Sequence, residues 1–365
     1  MRTRTWRTVA AFLAGLMMIL LSACGGDDGA GGDKADTDGF TVGLLLPSRA
    51  LPRWEQSDKP FIEQQVKELC PRCTMQYANA ENDATRQRQQ MTSMITNGAG
   101  VLILDAADTR AMRSSIREAR QEGVPVVAYD RLAEGPIAGY VSFDGEQVGR
   151  LQGEALLKAM GDGAKDANVV MMNGDPTSPN AAFYREGALS VLKGKTKIAK
   201  SYDTLGWSTA NAHANMSAAL AALGPDRIGG VLAANDGMAA GVIAALKGAR
   251  VAELPPVTGQ DADLDAVRRI VKGEQYMTVY KSFRAEAAAA AAMAVTLGRG
   301  EDPREVATTT TDSPTTQDIP SVLLTPTAVT VDTIRRTLVD EGVYTVDQIC
   351  TRELRPACEE AGLTR

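Results

Sequence analysis

The stretch GVLILDAADTRAMRSSIREARQEGVPVVAYDR, from Gly100 to Arg131, decides the fold. It begins with a β-rich apolar run, continues with a helical pattern that Asp108 can cap and Gly123 can close, and ends with a second apolar run. This order predicts a βαβ unit with parallel strands. The charged pair Asp130 and Arg131 follows the second strand directly, although charges beside a core are costly unless they are paired or bind a ligand.

The same alternation extends along the chain from Phe40. Asn82 or Asp83 can cap a further helix, which Gly98 closes. Alternating strands and helices predict an α/β fold with doubly wound parallel sheets, and about nine strands in 365 residues predict two sheets. The strand candidates are TVGLLL, TMQYAN, GVLILD, VPVVAYD, AGYVSFD, NVVMMN, GGVLAAN, PPVTGQD and YMTVYK.

Most of these strands are followed by a charged or amide side chain. Parallel sheets bind ligands outside the carboxyl ends of their strands, so these groups are expected to lie at one edge. Asp and Asn could instead cap the next helix, which is an even alternative for Asp105, Asp144 and Asp236 but does not explain Arg or Lys. The groups are Arg49, Arg53, Asp105, Asp130, Arg131, Asp144, Asn173, Asp175, Asn235, Asp236, Gln260, Asp261 and Lys281.

This inventory suits a neutral polyol, because Arg, Asp, Asn and Gln offer donors and acceptors together to vicinal hydroxyls. Trp54 and Trp207 each lie beside a polar cluster, where an indole could cover the apolar face of a sugar ring. Ordinary core packing is the alternative for both tryptophans.

The first 24 residues form a separate segment. Three arginines precede a short apolar run that ends in LSAC, which predicts a secretory signal rather than a membrane span. The small residues before Cys24 resemble a bacterial lipobox, which implies cleavage there and lipid attachment to the Cys24 sulfur. An ordinary secreted protein with a free thiol is the alternative. Residues 25–39 are Gly- and Asp-rich and predict a flexible tether.

Four further cysteines predict disulfides, since an even count outside the cytoplasm favours pairing. Cys70 with Cys73 and Cys350 with Cys358 is the preferred one of three connectivities. CPRC also has the spacing of a redox motif. It ends a predicted helix rather than beginning one, so a structural role is favoured.

Seven short motifs occur in an order that resembles the bacterial xylose-binding and multiple-sugar-binding proteins, over about residues 40–345. The resemblance implies the type 1 periplasmic-binding-protein fold, in which two Rossmann-like lobes close about a hinged cleft. It also implies a monosaccharide ligand and an ABC importer partner. The motifs are Arg53–Trp54, AYDR ending at Arg131, PNAAFYREG at Pro179–Gly187, ANDG around Asn235, GQDAD from Gly259, VYK ending at Lys281, and PSVLLTP near the C-terminus.

The resemblance also implies site residues and lobe boundaries. Trp54 and Trp207 would stack on the sugar, and Lys281 near the hinge would bind an oxygen. The hydrogen-bonding residues would be Arg53, Asp130 and Arg131 from the N-terminal lobe and Asn180, Asn235 and Asp261 from the C-terminal lobe. The boundaries would give an N-terminal lobe of residues 40–143 and 281–320, a C-terminal lobe of residues 144–280 and 321–345, and a tail of residues 346–365.

Three departures leave the sugar open among xylose and related aldoses. The first strand ends in LPS, where proteins of this kind usually carry acidic residues. Pro52 precedes Arg53 where Glu is common, and Pro179 precedes Asn180 where Asn is usual. A receptor that signals rather than transports is an alternative that the sequence does not separate.

An enzyme is disfavoured. His213 is the only histidine, and no nucleophile, P-loop, metalloprotease or dinucleotide motif accompanies it. A two-carboxylate glycosidase is not excluded by motif. The net charge of −6 gives no support for a nucleic-acid surface. The sequence indicates no cofactor and no metal. We expect a monomer, lipid-anchored outside the cytoplasm, in the periplasm or on the outer face of the membrane.

Overall fold

A computed structural model describes residues 39–364 of the chain. The predicted signal peptide, Cys24 and nearly all of the tether lie outside the described residues. Twelve strands occur in the described part: β1 (Thr41–Leu46), β2 (Thr74–Asn79), β3 (Ala99–Leu104), β4 (Val126–Tyr129), β5 (Gly139–Phe143), β6 (Asn168–Asn173), β7 (Lys197–Asp203), β8 (Ile228–Ala233), β9 (Met277–Tyr280), β10 (Thr309–Thr311), β11 (Ile319–Leu324) and β12 (Thr327–Thr330).

Eleven α-helices accompany the strands within residues 39–364, and five of them connect parallel strands of the same sheet. They are α1 (Lys59–Leu69), α2 (Ala84–Thr96), α3 (Arg113–Gln121), α4 (Gly145–Met160), α5 (Pro179–Leu192), α6 (Thr209–Leu223), α7 (Asp236–Gly248), α8 (Leu264–Val271), α9 (Phe283–Gly298), α10 (Val346–Ile349) and α11 (Arg355–Glu360). No helix in this part of the chain is both long and apolar enough to cross a membrane.

The N-terminal lobe is built on one seven-stranded sheet of order β10-β11-β5-β4-β3-β1-β2. All neighbouring pairs are parallel except β10 with β11. The central strands β5, β4, β3 and β1 are buried along nearly their whole length, as expected of parallel strands covered on both faces. The βαβ unit predicted from the sequence is β3, α3 and β4. Asp108 accepts from the backbone N–H groups of Arg110 and Ala111, and α3 begins only at Arg113.

The C-terminal lobe contains the parallel sheet β7-β6-β8 and the antiparallel pair β9-β12. The predicted strand PPVTGQD is not a regular strand here. Only Val257 forms a bridge, with Val231, and the Asp261 N–H donates to the Val279 carbonyl at 2.8 Å. This irregular segment therefore lies between β8 and β9 with hydrogen bonds to each.

Two predicted boundaries need correction. Strand β11 pairs with β5 from Ser321 to Leu324, so the N-terminal lobe continues through Leu324 and the crossing near Pro320 was placed too early. The chain crosses instead between β11 and β12. The predicted tail is not a separate segment either, because Ile349 and Leu354 are buried in one hydrophobic cluster with α8 of the C-terminal lobe.

The cysteines pair as Cys70–Cys73 and Cys350–Cys358, the pairing favoured from the sequence. Cys70 follows the end of α1, so CPRC closes a helix. Both disulfides are local, since the partners lie three and eight positions apart in sequence.

Candidate functional site

A narrow cavity with a volume of about 20 Å³ lies between the two lobes at the carboxyl ends of their strands. All nine residues predicted to bind a ligand line it, and each is at most 7 % exposed. They are Arg53, Trp54, Asp130, Arg131, Asn180, Trp207, Asn235, Asp261 and Lys281. The structure also places Leu51, Ser178, Tyr184 and Gln260 in the wall.

Arg53 organises the N-terminal side of the cavity. Its guanidinium donates to both Asp58 oxygens, at 3.0 and 2.8 Å, and to Glu286 at 3.0 Å. Nη1 lies 2.8 Å from Asp130 Oδ2. Burial alone would lower the pKa of Arg53, but these three carboxylates hold it well above its usual value. The arginine is therefore a fixed cation, already engaged on most of its donors.

Asp130 links the two lobes. Burial would raise the pKa of its carboxyl, but Arg53, Lys281 and Arg131 together with a hydrogen bond hold that pKa below the ordinary value. The hydrogen bond comes from Asn180 Nδ2 at the start of α5, which donates to Asp130 Oδ1 at 2.5 Å. Asp130 has a positive φ of 57°, so its backbone is strained at the position where it meets the cavity.

Arg131 is supported from behind by a buried acid. Its Nε lies 3.3 Å from Asp105 Oδ1, and its Nη1 donates to the Ala106 carbonyl at 2.9 Å. Burial raises the pKa of Asp105 well above its usual range, and Arg131 opposes that rise. Neither Asp105 oxygen accepts a hydrogen bond within residues 39–364, so Asp105 is not the helix cap that was one interpretation of the sequence.

The other strand-end acids divide between capping and support. Asp144 caps α4 by accepting from the Gln147 N–H, as the alternative interpretation allowed. Asp236 instead accepts from Gln275, from Thr278 and from the Asp263 N–H. Asn235 caps α7 with its side chain and also lines the cavity.

Lys281 and Asp261 form a buried ion pair at the chain crossing after β9. Lys281 Nζ lies 2.9 Å from Asp261 Oδ1, and the lysine is 1 % exposed. Burial would lower the pKa of Lys281, yet Asp261 holds it well above the ordinary value. Asp261 has a φ of 98°, and its Oδ1 is also 3.8 Å from Arg53 Nη1 of the opposite lobe.

The two tryptophans differ in how their rings are held. The Arg53 guanidinium lies 4.0 Å from the Trp54 ring centroid, a cation–π geometry. Trp207 meets Tyr184 edge to face, with centroids 6.1 Å apart. Gly174 packs so closely against the Trp207 ring that a Cβ there would lie 2.0 Å from Cη2. Trp207 itself has a positive φ of 53°, so its placement depends on these neighbours.

Several polar atoms of the cavity residues are buried without a partner. Buried donors and acceptors in proteins are nearly always satisfied, so such a group at a cavity wall marks a place for a ligand or water. Within the described part of the chain these unpaired atoms are Trp54 Nε1, Trp207 Nε1, Ser178 Oγ and Gln260 Oε1.

Sequence reasoning left four wall residues out of the site. Gln260 was recognised as a strand-end group but not assigned to the site. Tyr184 follows Asn180 by four residues on α5 and so shares its face, a signal that helical spacing could have supplied. Ser178 precedes α5 directly. Leu51 neither follows a strand nor shares a helix face with a predicted site residue, so no sequence pattern indicates its place in the wall.

The chain matches the periplasmic binding protein domain family over residues 42–302. It belongs to that family. The D-xylose-binding periplasmic protein of Escherichia coli is 35% identical over 309 residues, which cover 83% of this chain and 90% of that protein. The multiple sugar-binding periplasmic receptor ChvE of Rhizobium radiobacter is 33% identical, over 93% of this chain and 98% of the relative.

Solved structures agree with this assignment. An ABC transporter solute binding protein from Clostridium phytofermentans with bound β-D-glucose aligns with a TM-score of 0.78 at 31% identity, over 85% of this chain and 99% of that one. The predicted fold class, the type 1 periplasmic-binding-protein fold, is thereby confirmed, as is the resemblance to sugar-binding proteins. These relatives are binding proteins rather than enzymes, and this chain belongs to a family of sugar-binding ABC transporter components.

Proposed function

We propose that this protein captures one monosaccharide, xylose or a related aldose, in the cavity between its lobes. The observation that carries the proposal is that hydrogen-bonding groups of both lobes line a single narrow cavity, with two indoles beside them. The wall carries both cations and carboxylates, which offers donors and acceptors together to the hydroxyls of a neutral polyol. The names of the relatives support a sugar, D-xylose in one case and multiple sugars in another.

The cavity residues can supply the needed affinity. Micromolar binding corresponds to about −8 kcal/mol. Charge-assisted hydrogen bonds contribute about 1.5–3 kcal/mol each, and lost rotational freedom and desolvation oppose them. Arg131 and Lys281 can supply charge-assisted bonds and Asn235 a neutral one, and a stacked indole adds to them when lobe closure excludes water.

Sugar entry requires the lobes to part, because every wall residue of the predicted set is at most 7 % exposed. The three chain crossings, after β5, after β9 and after β11, are the natural hinge. Arg53, held by acids of its own lobe, would keep the N-terminal half of the site assembled while the cleft is open. The Asp130–Asn180 and Arg53–Asp261 contacts would re-form on closure.

The closed, sugar-loaded protein would then be recognised by an ABC importer. We place it outside the cytoplasm as a monomer, anchored through a lipid on Cys24, with LSAC as the supporting sequence feature. A second candidate is a receptor that passes sugar occupancy to a signalling partner, which the name of the Rhizobium relative favours.

A hydrolase is the less favoured alternative. His213 is exposed on α6, away from the residues that line the cavity. A hydrolase would also release a product, whereas a binding protein returns its sugar unchanged.

Calorimetric titration with xylose, arabinose, ribose, glucose, galactose and fucose tests the proposal. Each sugar is then recovered and analysed by NMR. We expect saturable 1:1 binding of one or a few of these sugars, with the bound sugar recovered intact. Absence of binding by all six, or a chemically altered sugar, would overturn it.

A further inference from the structure

The residues after β12 fold into a small helical unit, here called the C-terminal cap and defined as residues 331–364. It contains a π-helical turn at Arg335–Val339, α10 and α11, and the Cys350–Cys358 disulfide. Its apolar side chains share one cluster with Ala262 and α8. The cap residues in that cluster are Ile334, Leu338, Ile349, Leu354, Cys358 and Leu363.

The cap covers the turn that carries Asp261. Asp261 and Ala262 have consecutive positive φ angles, 98° and 53°. Non-glycine residues adopt this conformation only when their surroundings enforce it. Two of the enforcing hydrogen bonds come from β9: Asp261 N–H to the Val279 carbonyl at 2.8 Å, and Ala262 N–H to Thr278 Oγ1 at 3.1 Å.

The third hydrogen bond to this turn comes from the cap. The Tyr344 hydroxyl donates to the Ala262 carbonyl at 3.0 Å, across 82 residues of sequence. Tyr344 is fixed in turn, because its own N–H and that of Val343 both donate to the carbonyl of buried Leu338. Arg268 of α8 donates to the Gln348 carbonyl at 2.7 Å, which ties the cap to the helix that follows the turn.

We propose that Tyr344 is a positioning residue of the binding site, and that the disulfide-linked cap holds Asp261 in the conformation in which its carboxylate meets Lys281 and the cavity. This inference rests on the proposed function. The contact is made one residue from Asp261, at the carbonyl of Ala262. Loss of the hydroxyl frees the Ala262–Asp263 peptide to rotate. That rotation relaxes the turn and moves the Asp261 carboxylate away from Lys281 Nζ, which lies 2.9 Å from Asp261 Oδ1 in the structure.

The first experiment compares Tyr344→Phe with the wild type, both as the full chain. The sugar is whichever of the six the wild type binds in the calorimetric titration. We expect the Kd to rise two- to tenfold, the range that one neutral hydrogen bond supplies. Tyr276→Phe is the matched control, since the Tyr276 hydroxyl has no hydrogen bond within residues 39–364 and its removal should leave the Kd unchanged. An unchanged Kd in Tyr344→Phe overturns the inference.

A double-mutant cycle separates positioning from general support. If Tyr344 acts through Asp261, Tyr344→Phe adds little further loss in an Asp261→Asn background but its full loss in an Asn180→Ala background. Equal losses in the two backgrounds would assign Tyr344 a merely structural role and overturn the inference. A double variant that lacks the cap disulfide, Cys350→Ser with Cys358→Ser, should raise the Kd as well. The matched double variant Cys70→Ser with Cys73→Ser removes the disulfide outside the cap and should leave the Kd unchanged.

Amide hydrogen exchange decides the inference even if no sugar binds. Tyr344→Phe should speed exchange of the Asp261 and Ala262 amides, while the amides of β9 keep their protection. Unchanged exchange at these two amides would overturn the positioning role. Faster exchange in a protein that binds none of the sugars would instead sustain the contact and refute the proposed function.

Discussion

Replacing Arg131 by alanine should weaken sugar binding and also change how stability depends on pH. The lost interaction with the sugar is a charge-assisted hydrogen bond, worth about 1.5–3 kcal/mol. That free energy corresponds to a Kd roughly 10- to 150-fold higher. Calorimetry with the preferred sugar measures the change.

The stability effect comes from Asp105, which is fully buried with Arg131 Nε 3.3 Å from its Oδ1. Removing one member of a buried ion pair costs about 3–5 kcal/mol when the other charge stays buried. Burial already raises the pKa of Asp105, and loss of the arginine raises it further. The folded state then holds a proton that the unfolded state releases above about pH 4, so stability is lost as the pH rises.

Thermal unfolding at pH 5 and pH 8 measures this second effect. Arg131→Ala should lower Tm more at pH 8 than at pH 5. Adding Asp105→Asn removes the buried titratable acid, so the double variant should regain Tm at pH 8 without regaining affinity. The reasoning fails if Arg131→Ala binds the sugar with wild-type affinity, or if the double variant is no more stable at pH 8 than Arg131→Ala.

Three further changes have defined outcomes. Gly174→Ala should displace the Trp207 ring and raise the Kd two- to tenfold, because an aromatic contact contributes about 0.5–1.5 kcal/mol. Gly163→Ala faces open space and should leave the Kd unchanged. Equal Kd values for the two variants would contradict this packing argument. In a chain starting after Cys24, Trp54 and Trp207 are the only tryptophans. Trp207→Phe should therefore remove most of the sugar-induced fluorescence change. If the full change is retained, Trp54 is its source. Burial and neighbouring Asp261 raise the pKa of Asp263 to about 7, so the stability of the wild type should fall as the pH rises from about 4 to about 7. Asp263→Asn should flatten that fall in Tm, and an identical pH profile of Tm in the variant would refute this role of Asp263.

The regular part of the fold was predictable because its strands are continuous apolar runs. Strands β1, β3 to β6, β8 and β9 were recognised in this way, and β2, TMQYAN, was recognised although most of its residues are only partly buried. Strand β7, KIAKSYD, was missed because it is a half-exposed edge strand with charged residues along it. The short strands after α9 were missed as well, and Pro320 near the start of β11 weakens its pattern.

The cavity-lining residues that follow strands were predictable, because parallel strands deliver their following residues to one edge, whereas Asn180 came only from the resemblance to sugar-binding proteins. Their pairing was not. Glu286 reaches Arg53 across 233 residues of sequence, and Tyr344 reaches Ala262 across 82. Arg53, expected to bind sugar hydroxyls, is engaged by three carboxylates and so also serves to assemble its lobe. Contacts of this length depend on tertiary packing and leave no local pattern.

A crystal structure with the preferred sugar bound tests the central claim most directly. The account predicts one intact sugar ring between the lobes, within hydrogen-bond distance of Arg131 and Asn235 and beside the rings of Trp54 and Trp207. A sugar bound on the outer surface of one lobe, or a cavity still lined by the same residues but empty at saturating sugar, would contradict it.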